Sequence, residues 1–152
     1  MTTDRIERQV LLRAPRARVW RALTDPEQFG QWFGVLVADA QFAPGARGRG
    51  AVTHPGYRHL TWEVTIERME PERVFSWRWH PHATDPGQDY SAEPTTLVVF
   101  ELEDAPGGTL LKVVESGFDG IPPARRAEAY RGNEGGWTQQ IESIARYVRQ
   151  AA

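Results

Sequence analysis

Glu115 and Arg8 are the two residues whose chemistry the sequence places most sharply. In the run Thr109 to Gly117, Lys112 belongs in water, so Leu111, Val113 and Glu115 face the interior and a carboxylate stands on an apolar wall. In residues 5 to 12, Ile6, Arg8, Val10 and Leu12 share one face. If the first and last strands pair, Arg8 and Glu115 project inward from neighbouring positions. A partly buried ion pair is then expected, because buried charges are nearly always paired. That polar pair has two open roles, as a structural bridge at the edge of a cavity or as the holder of a ligand's polar head. Glu115 as general acid or base of a hydrolase or cyclase would instead require that it lack a firm cationic partner.

Other reactive groups are sparse. His80-Pro81-His82 has the look of a metal pair, but His54 and His59 are distant in sequence and a site needs three or four converging ligands. No metal is expected, and these histidines read as solvated loop residues. Gly45-Ala-Arg-Gly-Arg-Gly50 fits neither the dinucleotide nor the P-loop spacing and leads into a strand, so it reads as a hairpin entry. None of the four serines sits in a nucleophile elbow, and the absence of cysteine excludes thiolate chemistry and disulfides. No catalytic residue and no cofactor is assigned, and no motif marks a catalytic machine, so a non-enzymatic role is favoured without excluding an enzyme.

The six tryptophans, Trp20, Trp32, Trp62, Trp77, Trp79 and Trp137, exceed what 152 residues need to fill a centre. Small-molecule sites are concave and often walled by aromatic rings, so the excess suggests a ligand cavity. Its candidate lining is Trp32, Phe33, Trp62, Val64, Trp77, Trp79, Val98, Phe100, Val113, Glu115, Phe118, Trp137 and Ile141. A solidly filled core is the other outcome, since close packing is the rule for interiors. Trp20 reads as structural.

These residues must be positioned by a small set of elements. Residues 5 to 12 form a strand, 15 to 23 a short amphipathic helix, and Asp25-Pro26 cap a second short helix that runs through Phe29 and ends at Gly30. Runs from Phe33 to Ala40, Gly48 to His54, Leu60 to Glu70, Arg73 to His80, Thr95 to Glu103 and Thr109 to Gly117 read as strands. They are broken at Pro44-Gly45, Pro55-Gly56, Glu70-Pro71-Glu72, Pro86-Gly87 and Pro106-Gly107-Gly108. Short connections favour an antiparallel meander. Alternation turns Trp62, Val64 and Ile66, then Phe75, Trp77 and Trp79, then Val98, Phe100 and Leu102 inward, with Ser76 and Arg78 outward. Residues 81 to 94 form a polar, mobile loop. Trp137, Ile141, Ile144 and Val148 make one helical stripe. Upstream, Gly132, Gly135 and Gly136 interrupt the helix-former pattern of Pro123 to Tyr130 and predict a kink or a close contact.

Length and charge limit the function classes. The chain has the size of one domain, 1–152, and a net charge of −2 gives no footprint for nucleic acid. Only Lys112 among the 18 basic residues is lysine. No apolar run approaches the ~20 residues of a membrane span and no secretory stretch opens the chain. No membrane partner and a cytoplasmic location are therefore expected. The sheet's edges permit pairing of two copies into a homodimer.

The segment Ala14 to Pro26, with Phe29-Gly30-Gln31-Trp32-Phe33, Pro44-Gly45, Thr109-Leu110-Leu111, Glu115-Ser116-Gly117-Phe118 and Gly136-Trp137, resembles the activator of ninety-kilodalton heat-shock-protein ATPase homologues. These belong to the START-like superfamily, abbreviated SRPBCC, and the likeness covers nearly the whole chain. The resemblance implies an α+β helix-grip fold of the START-like, birch-pollen-allergen-like kind. Such a fold has a curved antiparallel sheet of about seven strands, two short helices after the first strand and a long C-terminal helix across the concave face. Three functions are in contention. The first is binding or carrying of a hydrophobic small molecule between sheet and C-terminal helix, with the 81 to 94 loop and the glycine-broken helix start as a gate. The second is a hydrolase or cyclase using Glu115. The third is an accessory to a chaperone partner, working through an exposed apolar patch over a filled core. The eukaryotic co-chaperones also carry a separate N-terminal chaperone-binding domain, which is not expected within these 152 residues.

Overall fold

Alternating apolar and polar residues give the seven expected strands, and the change to a 3.6-residue period at each end gives the helices. The computed structural model describes residues 4–39, 41–85 and 87–150. The N-terminal Met-Thr-Thr, the far end of the strand read to Ala40, and Pro86 of the Pro86-Gly87 turn lie outside the described residues. In chain order the elements are β1 (Arg5–Leu12), α1 (Arg16–Thr24), α2 (Pro26–Phe33), β2 (Val35–Val37), β3 (Arg47–Val52), β4 (Thr61–Glu70), β5 (Val74–Trp79), β6 (Thr96–Ala105), β7 (Gly108–Ser116) and α3 (Pro123–Gln150). A single 3-10 turn, Phe118–Gly120, precedes α3.

The strands form one open sheet in the order β1-β7-β6-β5-β4-β3-β2, antiparallel throughout. With α3 packed on it and α1 and α2 following β1, the fold is the α+β helix-grip that the resemblance implies. The first and last strands do pair, with Ile6 opposite Glu115 and Arg8 opposite Val113. The inward rows are as the alternation requires: Trp62, Val64 and Ile66 are buried, as are Phe75 and Trp77, and Val98, Phe100 and Leu102. From α3, Ala129, Trp137, Ile144 and Val148 are buried and Ile141 is half-buried. Ile144 and Val148 each contribute about 1.5–3 kcal/mol by leaving water, an upper figure because the unfolded chain already hides some area. Among the described residues no helix is long and apolar enough to cross a membrane.

Two element boundaries are corrected. The second helix does not end at Gly30 but runs to Phe33, because Gly34 takes the left-handed conformation (φ 93°) that stops it. Gly30 is instead a point of close approach, where a Cβ would lie 2.3 Å from the Val35 carbonyl oxygen. The strand expected from Phe33 to Ala40 is consequently only Val35–Val37. Beyond it the Asp39 carboxylate accepts the Arg49 N–H (2.8 Å) and takes the place of the ladder. At the α3 glycines the expected close contact is found, and the helix runs continuously across them. Gly132 makes a close contact, since its missing side chain leaves room for the His82 ring, which a Cβ would meet at 2.6 Å.

Ser76, expected outside, is buried, because a bulge between Ile66 and Arg68 frees the Arg68 N–H and the Ser76 hydroxyl accepts it at 3.2 Å. Replacing Gly30 by alanine is expected to lower stability by about 1–3 kcal/mol through overpacking. Gly135→Ala, at an exposed site with nothing within 4 Å of the new Cβ, is expected to raise it by up to about 1 kcal/mol. Urea unfolding of the two variants measures both.

Candidate functional site

Glu115 is fully buried, and every group that meets its carboxylate is an uncharged donor. Oε1 accepts from Trp137 Nε1 (2.8 Å) and Asn133 Nδ2 (2.9 Å). Oε2 accepts from Trp79 Nε1 (2.8 Å), the Thr96 hydroxyl (2.5 Å) and, more weakly, Asn133 Nδ2 (3.1 Å). The strands position these donors by register: Trp79 on β5 pairs with Thr96 on β6, and Val98, two residues on, pairs with Glu115 on β7. Asn133 and Trp137, four residues apart on α3, present one face to the same carboxylate. Both oxygens are thus fully engaged, and no lone pair is turned toward open space.

The ion pair expected between Arg8 and Glu115 does not form. Arg8 donates to the Thr138 hydroxyl (3.1 Å) and the carbonyls of Glu134 (3.2 Å) and Glu7 (2.8 Å), with the Glu134 carboxylate 4.0 Å away. Two indoles and an amide already cover Glu115, so the guanidinium ties β1 to the flank of α3 instead. Glu115 therefore lacks a cationic partner, as an acid or base role would require, but it also lacks an open face.

The rings of the candidate lining divide into two groups. Trp77, Phe100 and Trp137 lie inside a continuous aromatic layer that sequence reasoning did not attribute to Phe29 and Phe42. Phe29 stacks on Phe33 (4.7 Å between centroids) and meets Trp77 edge-on (5.6 Å), while Phe42 stacks on Phe75 (5.9 Å). Beneath Trp137 the rings of Phe100, Trp79 and Phe33 follow at 5.8, 6.0 and 6.2 Å, so that space is filled. Trp32 donates its indole N–H to the Ala22 carbonyl (2.7 Å), Phe118 packs on Tyr130, and Val64, Val98 and Val113 are core residues.

Phe33 and Trp79, at the margin of that layer, join Trp62 as the floor of a cleft of about 630 Å³. Its walls are the β3–β4 connection, with His54, His59 and Leu60, and the loop after β5, with His80, His82 and Tyr90; Gln140 of α3 closes it. All four histidines of the chain line this one cleft. Among the described residues no three histidine, aspartate or glutamate side chains are grouped to hold a metal ion. Among the described residues no arginine or lysine lines it, whereas Glu63, Asp85 and Asp89 do. The Ser91 backbone N–H bonds Asp89 (2.9 Å) and, with the Ser91 hydroxyl, holds its carboxyl below the usual carboxylate range.

The 81 to 94 loop is tied down. Arg125 of α3 donates to the carbonyls of Pro81 (3.0 Å) and His82 (3.2 Å), pairs with Glu93 (2.7 Å), and lies 4.7 Å over the Tyr90 ring. His82 takes a left-handed backbone (φ 52°) to seat its ring against Gly132. Thr96 and Asn133 escaped the sequence reading, although signals for both exist. Thr96 stands two residues before inward Val98, and Asn133 four before Trp137.

A family model described as "Activator of Hsp90 ATPase homolog 1-like protein" matches residues 13–149. No curated protein matches the chain. Among solved structures, protein MLL2253 from Mesorhizobium loti is similar at 24% identity and a TM-score of 0.73, over 97% of this chain and 98% of that one. Protein NE0264 from Nitrosomonas europaea is similar at 20% identity and a TM-score of 0.74, over 99% and 97%. DynU16, a protein in the dynemicin biosynthetic locus, is 25% identical with a TM-score of 0.72, and the match spans 96% of this chain but 47% of DynU16.

Glu115→Gln tests the carboxylate's place. An amide nitrogen set against either indole N–H leaves a buried donor without an acceptor, so a loss of about 2–4 kcal/mol in urea unfolding is expected. Unchanged stability would mean that the cage does not hold the fold together.

Proposed function

The chain belongs to the Activator of Hsp90 ATPase homolog 1-like family, and from that membership we propose that it binds or carries a small, largely apolar molecule in the cleft floored by Phe33, Trp62 and Trp79. The observation that carries this reading is the cleft itself. Its volume of about 630 Å³ lies within the range of ordinary ligand pockets. Its floor is aromatic, and its polar groups sit mostly on the walls. On this reading residues 1–152 act as one START-like domain. The ligand lies at the mouth of the grip, beside Gln140, rather than under Trp137. The tied 81 to 94 loop forms one wall and opens to admit the ligand.

The accessory reading draws support from the filled interior, which it requires. It also requires a continuous exposed apolar patch. Of the large apolar side chains exposed among the described residues, Leu11 lies on β1 at one edge of the sheet, while Leu36 on β2 and Tyr57 in the β3–β4 connection lie toward the other. That separation favours the ligand-binding reading. The hydrolase or cyclase reading loses its main support in the full engagement of Glu115.

Thermal-shift screening with fatty acids, sterol-like and polycyclic aromatic compounds, preceded by native mass spectrometry of protein from its own host, tests the proposal. A ligand present at one hundred times its dissociation constant is expected to add about 2.7 kcal/mol of stability. Thr61→Trp, at an exposed position on the cleft wall, is expected to abolish that gain while leaving the unliganded protein as stable as before. Retained binding in this variant would move the ligand out of the cleft.

A further inference from the structure

The indole N–H groups of the buried tryptophans are not treated alike. Those of Trp32, Trp79 and Trp137 each have an acceptor at 2.7–2.8 Å. Those of Trp62 and Trp77 are buried and have no acceptor among the described residues. An indole nitrogen can only donate, and a buried donor without a partner is costly, so each such group calls for a reason. Trp62 is only 4% exposed and its ring forms part of the cleft floor; Trp77 lies fully buried behind it, 5.9 Å away between centroids.

The charges around the cleft supply an independent constraint. Glu63, Asp85 and Asp89 line it and, among the described residues, no arginine or lysine does. Arg47 and Arg49 reach Glu63 at 3.6 and 3.4 Å, and neither is part of the lining. Arg125 is engaged by Glu93 and two carbonyls. An anionic head would meet the carboxylates of Asp85 and Asp89 here, with no arginine or lysine in the lining among the described residues.

We infer that the cleft selects an uncharged apolar molecule bearing a hydrogen-bond acceptor, such as a ketone, ester or amide carbonyl, and that the Trp62 indole N–H is the donor that receives it. The inference rests on the ligand-binding reading and narrows it to a class. Trp62 is then a specificity-determining residue. Trp62 Nε1 itself has no open surface in the unliganded protein, so a carbonyl oxygen satisfies its N–H by pressing into the floor and displacing the side chains that cover it. The hydrocarbon part covers Phe33 and Trp79, and fatty acids and other carboxylates are disfavoured at the acidic wall.

Three probes of nearly equal shape test it: 2-ethylnaphthalene, 2-acetylnaphthalene and 2-naphthoate. Their affinities are measured by calorimetry on the wild-type protein, Trp62→Phe and Trp77→Phe. In parallel, 1H–15N spectra follow the indole resonances, assigned through their ring and backbone neighbours. The ketone is expected to bind on the order of tenfold more tightly than the hydrocarbon, the size of one hydrogen bond to an otherwise unsatisfied donor. 2-Naphthoate is expected to be the weakest of the three. Trp62→Phe is expected to erase the ketone's advantage while keeping hydrocarbon binding, and Trp77→Phe to preserve it. On adding the ketone, the Trp62 indole resonance is expected to move most. The indole shift in the wild-type protein reads the same contact should Trp62→Phe fail to fold. Equal affinities for ketone and hydrocarbon, an unmoved Trp62 indole, or tightest binding of 2-naphthoate would overturn the inference and leave the ligand-binding reading standing. Binding of none of the three to the wild-type protein would count against that reading itself.

Discussion

The carboxylate of Glu115, sunk between sheet and helix, is the interaction on which the remaining geometry depends. One side chain on β7 joins Trp79 of β5, Thr96 of β6 and both Asn133 and Trp137 of α3, so four elements meet at two oxygen atoms. A buried carboxylate without a cation persists only if hydrogen bonds replace its hydration, and the neutral donors do so here. The consequence is directional. The height and rotation of α3 on the sheet are set where Trp137 and Asn133 must reach Glu115. The Trp79 ring is likewise fixed at one edge by its N–H while it contributes to the floor of the cleft.

That anchoring explains why the open volume lies where it does. With Trp137 drawn down onto Glu115, the rings of Phe100, Trp79 and Phe33 close the space beneath the helix, and Phe29 and Phe42 extend the same layer toward α2 and the β2–β3 connection. Offset and edge-on ring contacts of this kind add to area burial and resist opening. Space remains at the margin of the layer, where the sheet's β3–β4 side and the loop after β5 stand apart. Arg125 and the His82–Gly132 contact hold that loop to α3, so the helix that seals the core also frames the cleft.

Much of the fold was legible because it rests on local rules. Alternation in 61–66, 75–79, 98–102 and 111–115 gave inward faces that tertiary packing keeps, and Asp25-Pro26 marked a helix start that Asp25 indeed caps by accepting the Glu27 N–H. The misreadings arise where a residue's role depends on something distant in sequence. Gly30 looked like a helix end because its reason for being glycine, the Val35 carbonyl, becomes a neighbour only after the chain turns at Gly34. Arg8 looked like the partner of Glu115 because strand register alone brings them close. Only the placement of α3 shows that indole and amide donors arrive first and that Glu134 and Thr138 stand beside the guanidinium. The aromatic residues could be placed inside but not divided between core and cleft, since that division depends on the height at which the helix settles.

Intermolecular nuclear Overhauser contacts between the protein and a bound 2-acetylnaphthalene test most directly whether the ligand occupies the margin or the centre of the grip. Contacts to Trp62, Leu60 and Tyr90, with none to Phe100 or Trp137, are expected. Contacts to Phe100 and Trp137, with the aromatic layer parted to admit the probe, would contradict a filled centre and place the binding site beneath the helix.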